Sequence, residues 1–139
     1  MRRLSLAALL LAAVLIACAR EEPDAVPGPT VAVVEVLDET YRIELATPEL
    51  VAQARDLLAG EELPSIPIGR IVRDEAGPNA PWSWHVDAAT IEFTELTTAV
   101  CDGLPSAVED GSLTSDFYCP WSAEIVAVEQ TQLDAESPP

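Results

Sequence analysis

The chain has 139 residues, 49% of them hydrophobic and 22% charged, with a formal charge of −17 at pH 7. Its seven basic residues, all arginines, face 24 acids. That balance repels phosphate backbones and anionic headgroups, so nucleic acid is not an expected partner and the charge pattern offers no hold on a membrane surface.

The N-terminus opens with Arg2 and Arg3 and continues through an uncharged apolar stretch from Leu4 to Ala17. Residues 1–17 read as a secretory signal peptide, too short for a resident membrane span. Its end, Leu15-Ile16-Ala17-Cys18, resembles the lipobox of bacterial lipoproteins, in which the chain is cut before the cysteine and the sulfur receives a diacylglyceryl group. Lipidation of Cys18, palmitate included, would anchor the protein to the membrane on the extracytoplasmic side of a bacterial envelope. Without the leader the charge becomes 5 − 24 = −19.

Residues 18–30 are rich in proline and acid and read as the lipidated cysteine with a disordered tether; residues 130–139 read as a disordered tail. One domain is expected between them, over 31–129. It begins with a β-branched run, Val31 to Leu37, followed by Tyr41-Arg42-Ile43-Glu44-Leu45, which alternates like a half-buried strand. Asp38-Glu39 is either a hairpin turn or a bulge in one long strand. Thr47-Pro48-Glu49-Leu50 starts a helix with a cap, a proline at the first position and an acid in the first turn; Leu50, Ala54, Leu57 and Leu58 share a face and Gly60 stops it. Ile66 to Arg73 is a strand that Pro64 and Pro67 restrict to an edge or to its later half. A turn at 77–79 precedes two strand candidates, Trp82 to Val86 and Thr90 to Leu96. An irregular helix over Ala99 to Asp110, a loop over 111–116 and a last strand, Ala123 to Glu129, complete the series. The mixture predicts an α+β domain: a mainly antiparallel sheet with two helices packed on it and one disulfide.

That disulfide is Cys101 to Cys119, the pair left once Cys18 is lipidated in an oxidising compartment. All three tryptophans and the single histidine lie in Pro81-Trp82-Ser83-Trp84-His85-Val86-Asp87 and Cys119-Pro120-Trp121-Ser122. In an extended segment Trp82, Trp84 and Val86 point to one face and Ser83, His85 and Asp87 to the other. Trp82, Trp84 and Trp121 are then either core beside the disulfide or the lining of a recognition cleft. The neighbours His85 and Asp87 suit a stabilising pair as well as a base and its orienting carboxylate. Glu95 has the parity of Ile91 and Phe93: either the strand ends before it, or a buried acid is paired with Arg55 or His85. With Asp102, Glu95 and His85 form a weak metal-ligand set without diagnostic spacing. No cofactor fingerprint and no nucleophile motif is present, so no catalytic residue is assigned.

Leu50 to Gly60, Gly69-Arg-Ile-Val72, Pro81 to Asp87, Ile91-Glu-Phe-Thr-Glu95, Cys101-Asp102 and Cys119-Pro-Trp-Ser122 together resemble the N-terminal domain of a slime-mould calmodulin-binding protein and its bacterial relatives, over Tyr41 to Val128. The resemblance implies a secreted or lipid-anchored protein and brings no catalytic residues. Calmodulin is not an expected partner, because its targets are basic amphipathic helices and this acidic chain offers none. The expected function is a lipid-anchored extracytoplasmic binding or interaction module, taking a protein or small-molecule ligand through Trp82, Trp84, His85, Asp87 and Trp121. The alternatives are a small metal-dependent or hydrolase-like enzyme using His85 with nearby carboxylates, and a structural component of the envelope.

Overall fold

The structure, a computed structural model, describes residues 27–132. The expected leader, Cys18 and the tail beyond Gln132 lie outside them. Within the described residues seven strands and two helices follow one another: β1 (Pro27–Val36), β2 (Glu39–Leu45), α1 (Pro48–Leu58), β3 (Ile66–Arg73), β4 (Trp84–Val86), β5 (Glu92–Thr94), α2 (Pro105–Glu109), β6 (Phe117–Tyr118) and β7 (Ala123–Gln132). All their strand pairings are antiparallel, in two sheets, and the two helices complete the expected α+β class.

β1 is the central strand of a three-stranded sheet, β2-β1-β7. Val31 through Val34 are all buried, so the strand is covered on both faces, as its unbroken β-branched run demands. The β1–β2 connection is a hairpin, not a bulge: Val36 pairs with Glu39, and Leu37 and Asp38 form the two-residue loop. Leu37 turns the corner at φ 59, a left-handed conformation that is uncommon for a branched apolar side chain. The domain is longer at both ends than the composition of its borders predicts. β1 starts at Pro27 and β7 runs to Gln132, because Pro27 pairs with Gln132 and the Thr131 hydroxyl donates to the Pro29 carbonyl at 3.0 Å. Polar, proline-rich ends are held here by the ladder, not by burial.

α1 is capped as its sequence dictates: the Thr47 hydroxyl accepts from the Leu50 N–H at 3.2 Å, Pro48 opens the helix, and Gly60 follows it at φ 89. Its buried face is Leu50, Val51, Ala54 and Leu57; Leu58, expected on that face, is exposed.

β3 is the common partner of the second sheet, pairing with β5 through Ile66–Ile68, with β6 through Gly69 and Arg70, and with β4 through Ile71–Arg73. The expectation of an edge strand fails, and the reason is local. Arg70 gives its N–H to the Thr90 hydroxyl and its carbonyl to the Asp87 N–H, so even-numbered groups face the β4–β5 side. Ile71 N–H goes to Asp116 O on the β6 side. Pro67 shares the parity of Ile71, and β6 does not reach it, so its missing N–H leaves no gap in a ladder. Gly69 is required by close approach, since a Cβ there would lie 2.3 Å from Val86 Cγ1.

The remaining expected elements are shorter than drawn. β4 begins at Trp84, not Trp82, and β5 spans only Glu92–Thr94, with a 3₁₀ turn (Ala88–Thr90) between them. The helix over 99–110 divides into a 3₁₀ turn at Ala99–Cys101 and the five-residue α2, because Gly103 takes φ 159 and Pro105 restarts the chain. Carboxylates and one guanidinium hold α2 in place. Glu39 accepts from the Ser106 N–H and hydroxyl at 2.8 and 2.7 Å, and Arg73 donates to the carbonyls of Val108, Leu113 and Ser115.

Candidate functional site

The tryptophan-histidine segment folds as the inner wall of the domain. Trp84 is 2% exposed and stands among Tyr41, Tyr118 and Trp82, with ring centroids 5.8, 5.4 and 6.5 Å away. Tyr118 meets it edge-on at 81°, the arrangement the ring quadrupoles favour. Burial pushes both phenols, Tyr41 and Tyr118, far above the ordinary tyrosine range; Tyr118 is raised further by Tyr41, Glu39 and Asp102. Trp82 is half-buried and its indole N–H donates to Thr40 O at 2.8 Å, which clasps the segment to β2.

His85 and Asp87 do not form the catalytic pair that their spacing allows. The His85 ring lies against Gly77 and gives its Nδ1–H to Glu75 O at 2.7 Å, closing the turn before β4. The Asp87 carboxylate accepts from the Ala89 N–H at 3.0 Å and so caps the 3₁₀ turn that follows it. Each polar group is spent on the backbone beside it. Glu95 lies beyond the end of β5 and is exposed, which settles its parity: the strand stops at Thr94 before an acid would have to be buried. Asp102 accepts from the Trp121 N–H at 2.8 Å. Among the described residues no group of three histidine, cysteine or acidic side chains is placed to hold a metal, so His85, Glu95 and Asp102 are not brought together.

The residue that organises this wall is one that the sequence presents only as a turn former. Asn79 is 1% exposed, accepts from the Arg42 N–H at 2.7 Å and donates to Trp84 O at 2.9 Å. Its own carbonyl takes the Trp82 N–H, and Ala80-Pro81 beside it is a cis peptide. Glu109 completes the enclosure, accepting from the Ser83 N–H and hydroxyl at 3.0 and 2.9 Å. Gly-Pro-Asn marks a turn in any sequence; no residue pattern announces an amide that bridges two strands.

The third tryptophan behaves differently. Trp121 is 50% exposed and lines an open groove of about 270 Å³ with Ile66, Glu95, Leu96 and Thr97. Leu96 beside it is 85% exposed, far more than a large aliphatic side chain needs to be. The ring is nonetheless held firmly. Its indole N–H donates to the Thr97 hydroxyl, its backbone N–H to Asp102, and two residues earlier Cys119 is bonded to Cys101 with Cα atoms 5.1 Å apart. Cys119 N–H also donates to Cys101 O at 2.8 Å. The disulfide therefore joins the 95–102 segment to the 119–122 segment and fixes both walls of the groove. Of the five residues expected to bind a ligand, Trp82, Trp84, His85 and Asp87 serve the core and its turns, and Trp121 alone presents a free face.

Fold and site together define a small, disulfide-stapled α+β domain with a rigid aromatic groove and no assembled catalytic group among its described residues. The chain belongs to the family of the calmodulin-binding protein's N-terminal domain, the family its motifs resemble, and the sequence model of that domain matches residues 29–132. No curated protein and no solved structure matches it.

Proposed function

We propose that the protein is a lipid-anchored binding module of the bacterial envelope, exposed on the extracytoplasmic side, with the Trp121 groove as its recognition surface. The observation that carries the reading is a half-exposed indole, fixed by two hydrogen bonds and a neighbouring disulfide, beside an almost fully exposed leucine. A rigid aromatic costs little conformational entropy on binding, which is why such residues serve as anchors. The lipobox ending at Cys18 supports the anchor, and no helix among the described residues is long and apolar enough to cross a membrane.

The geometry suits a partner approached from the aqueous side. Pro27, where a tether from Cys18 would enter, pairs with Gln132, while Val36 at the opposite end of β1 pairs with Ala123, two residues from Trp121. A rise of about 3.3 Å per residue separates those two ends by about 30 Å. Calmodulin is not proposed as a partner, since this acidic surface lacks the basic helix that calmodulin takes.

Two measurements test the reading. Cys18→Ala should abolish palmitate labelling and release the protein from the membrane fraction; retention of both label and membrane would refute the anchor. Acrylamide quenching of tryptophan fluorescence reports mainly Trp121, because Trp84 is enclosed. A panel of peptides, oligosaccharides and divalent salts should include a compound that protects it. If none does, the groove is not a binding surface and the envelope-component reading takes its place.

A further inference from the structure

We infer that the ligand of the Trp121 groove is a basic polypeptide segment that sets one large apolar side chain between Trp121 and Leu96. The inference rests on the groove being a binding surface and adds the class of partner. Its size is the first argument. About 270 Å³ lies below the roughly 300–1,000 Å³ of small-molecule pockets and suits a single inserted side chain.

Polarity is the second. A sugar needs donors and acceptors converging on its hydroxyls, yet the indole N–H of Trp121 is committed to Thr97 and its backbone N–H to Asp102. What remains in the groove is the open indole face, Leu96, Ile66 and the Glu95 carboxylate.

Charge is the third. From Asp74 to the end of the chain there is neither arginine nor lysine, while carboxylates recur throughout, and both walls of the groove belong to that stretch. The two arginines just before it are occupied, Arg73 by three carbonyls and Arg70 over the Phe117 ring at 5.8 Å. The groove is thus an apolar strip in a negative field. Such a field draws cations in, repels anionic lipid and acidic proteins, and opposes pairing with a second copy of this chain. A lysine or arginine flanking the inserted residue can also lie over the free face of Trp121.

The test uses the full chain and three labelled peptides of equal length: lysine alternating with leucine, lysine alternating with serine, and glutamate alternating with leucine. Fluorescence anisotropy should show the lysine-leucine peptide binding at least about tenfold more tightly than either control, the factor expected from one buried aliphatic side chain. Added salt should weaken binding, and Trp121 should gain protection from acrylamide. Leu96→Asp removes the apolar anchor while adding a negative charge at a position exposed enough to spare the fold, so it should weaken binding by about tenfold. Equal binding of the lysine-serine peptide, or unchanged or tighter binding by L96D, would reduce the interaction to bulk charge and overturn the inference. Protection of Trp121 by an oligosaccharide or the acidic peptide, without binding of the lysine-leucine peptide, would overturn it while leaving the groove reading intact. A dimer that L96D dissolves would assign the groove to a second copy and overturn it as well. If no probe touches Trp121, both readings fall together.

Discussion

Replacing Asn79 tests how the aromatic wall is held. The side chain satisfies two backbone groups on different strands, the Arg42 N–H and the Trp84 carbonyl, and is itself 1% exposed. In Asn79→Ala both groups lose their partner without gaining water. Each such loss costs about 1–3 kcal/mol, so about 2–5 kcal/mol is expected, from a total stability of roughly 5–15 kcal/mol. The midpoint of thermal unfolding should fall on the order of 10–20 °C. Asn79→Asp separates hydrogen bonding from volume. Its carboxylate can still accept from Arg42, but it turns a second oxygen toward the Trp84 carbonyl and buries a charge, which raises its pKa above the ordinary value of about 3.9. A group with a raised folded pKa is stabilising below its unfolded value and loses that contribution as pH rises through the folded one. The deficit of N79D relative to the parent protein should therefore be large at neutral pH and shrink in acid, where a protonated carboxyl can donate to Trp84 O. Urea unfolding followed by tryptophan fluorescence across pH measures both variants. A cost below about 1 kcal/mol for N79A, together with N79D matching N79A at every pH, would show that the bridge is not what holds the wall.

Three further outcomes follow from the packing. The chain has two tyrosines, both buried with raised pKa values, so neither should ionise while the protein is folded. Stability should be level below about pH 10 and then fall by about 1.4 kcal/mol per pH unit for each phenol, with tyrosinate absorbance appearing only together with unfolding; gradual ionisation before unfolding would contradict this. Exchanging Cys101 and Cys119 together for alanine opens a link across 18 residues and should cost about 3 kcal/mol in denaturant titration, and acrylamide should reach Trp121 more freely; an unchanged quenching constant would separate the disulfide from the groove. Gly69→Ala drives a methyl group into Val86 and should destabilise the domain by about 1–3 kcal/mol, measured by calorimetry, whereas a neutral effect would mean that β3 and β4 can part freely.

Local chemistry alone carried much of the architecture. The β-branched run of β1, the alternation of β2, the threonine-proline start of α1 and the glycine after it are short-range signals, and each element formed where its residues pointed. The cysteine pair was legible because two thiols remained for one bond, and the family because its motifs are contiguous words. The tertiary structure decided what no window of residues contains. It made β3 central in spite of Pro67, because β6 stops short of it, and lengthened the outer sheet because Pro27 found Gln132 across β1 and β7. It also divided three tryptophans of similar local setting between core and groove. Trp84 lies where Tyr41 and Tyr118 close over it, whereas Trp121 follows a disulfide at the rim, with Leu96 the neighbour that leaves its face open. Strand pairing and burial depend on partners tens of residues away, so a side chain's type is written in the sequence, while its exposure belongs to the fold.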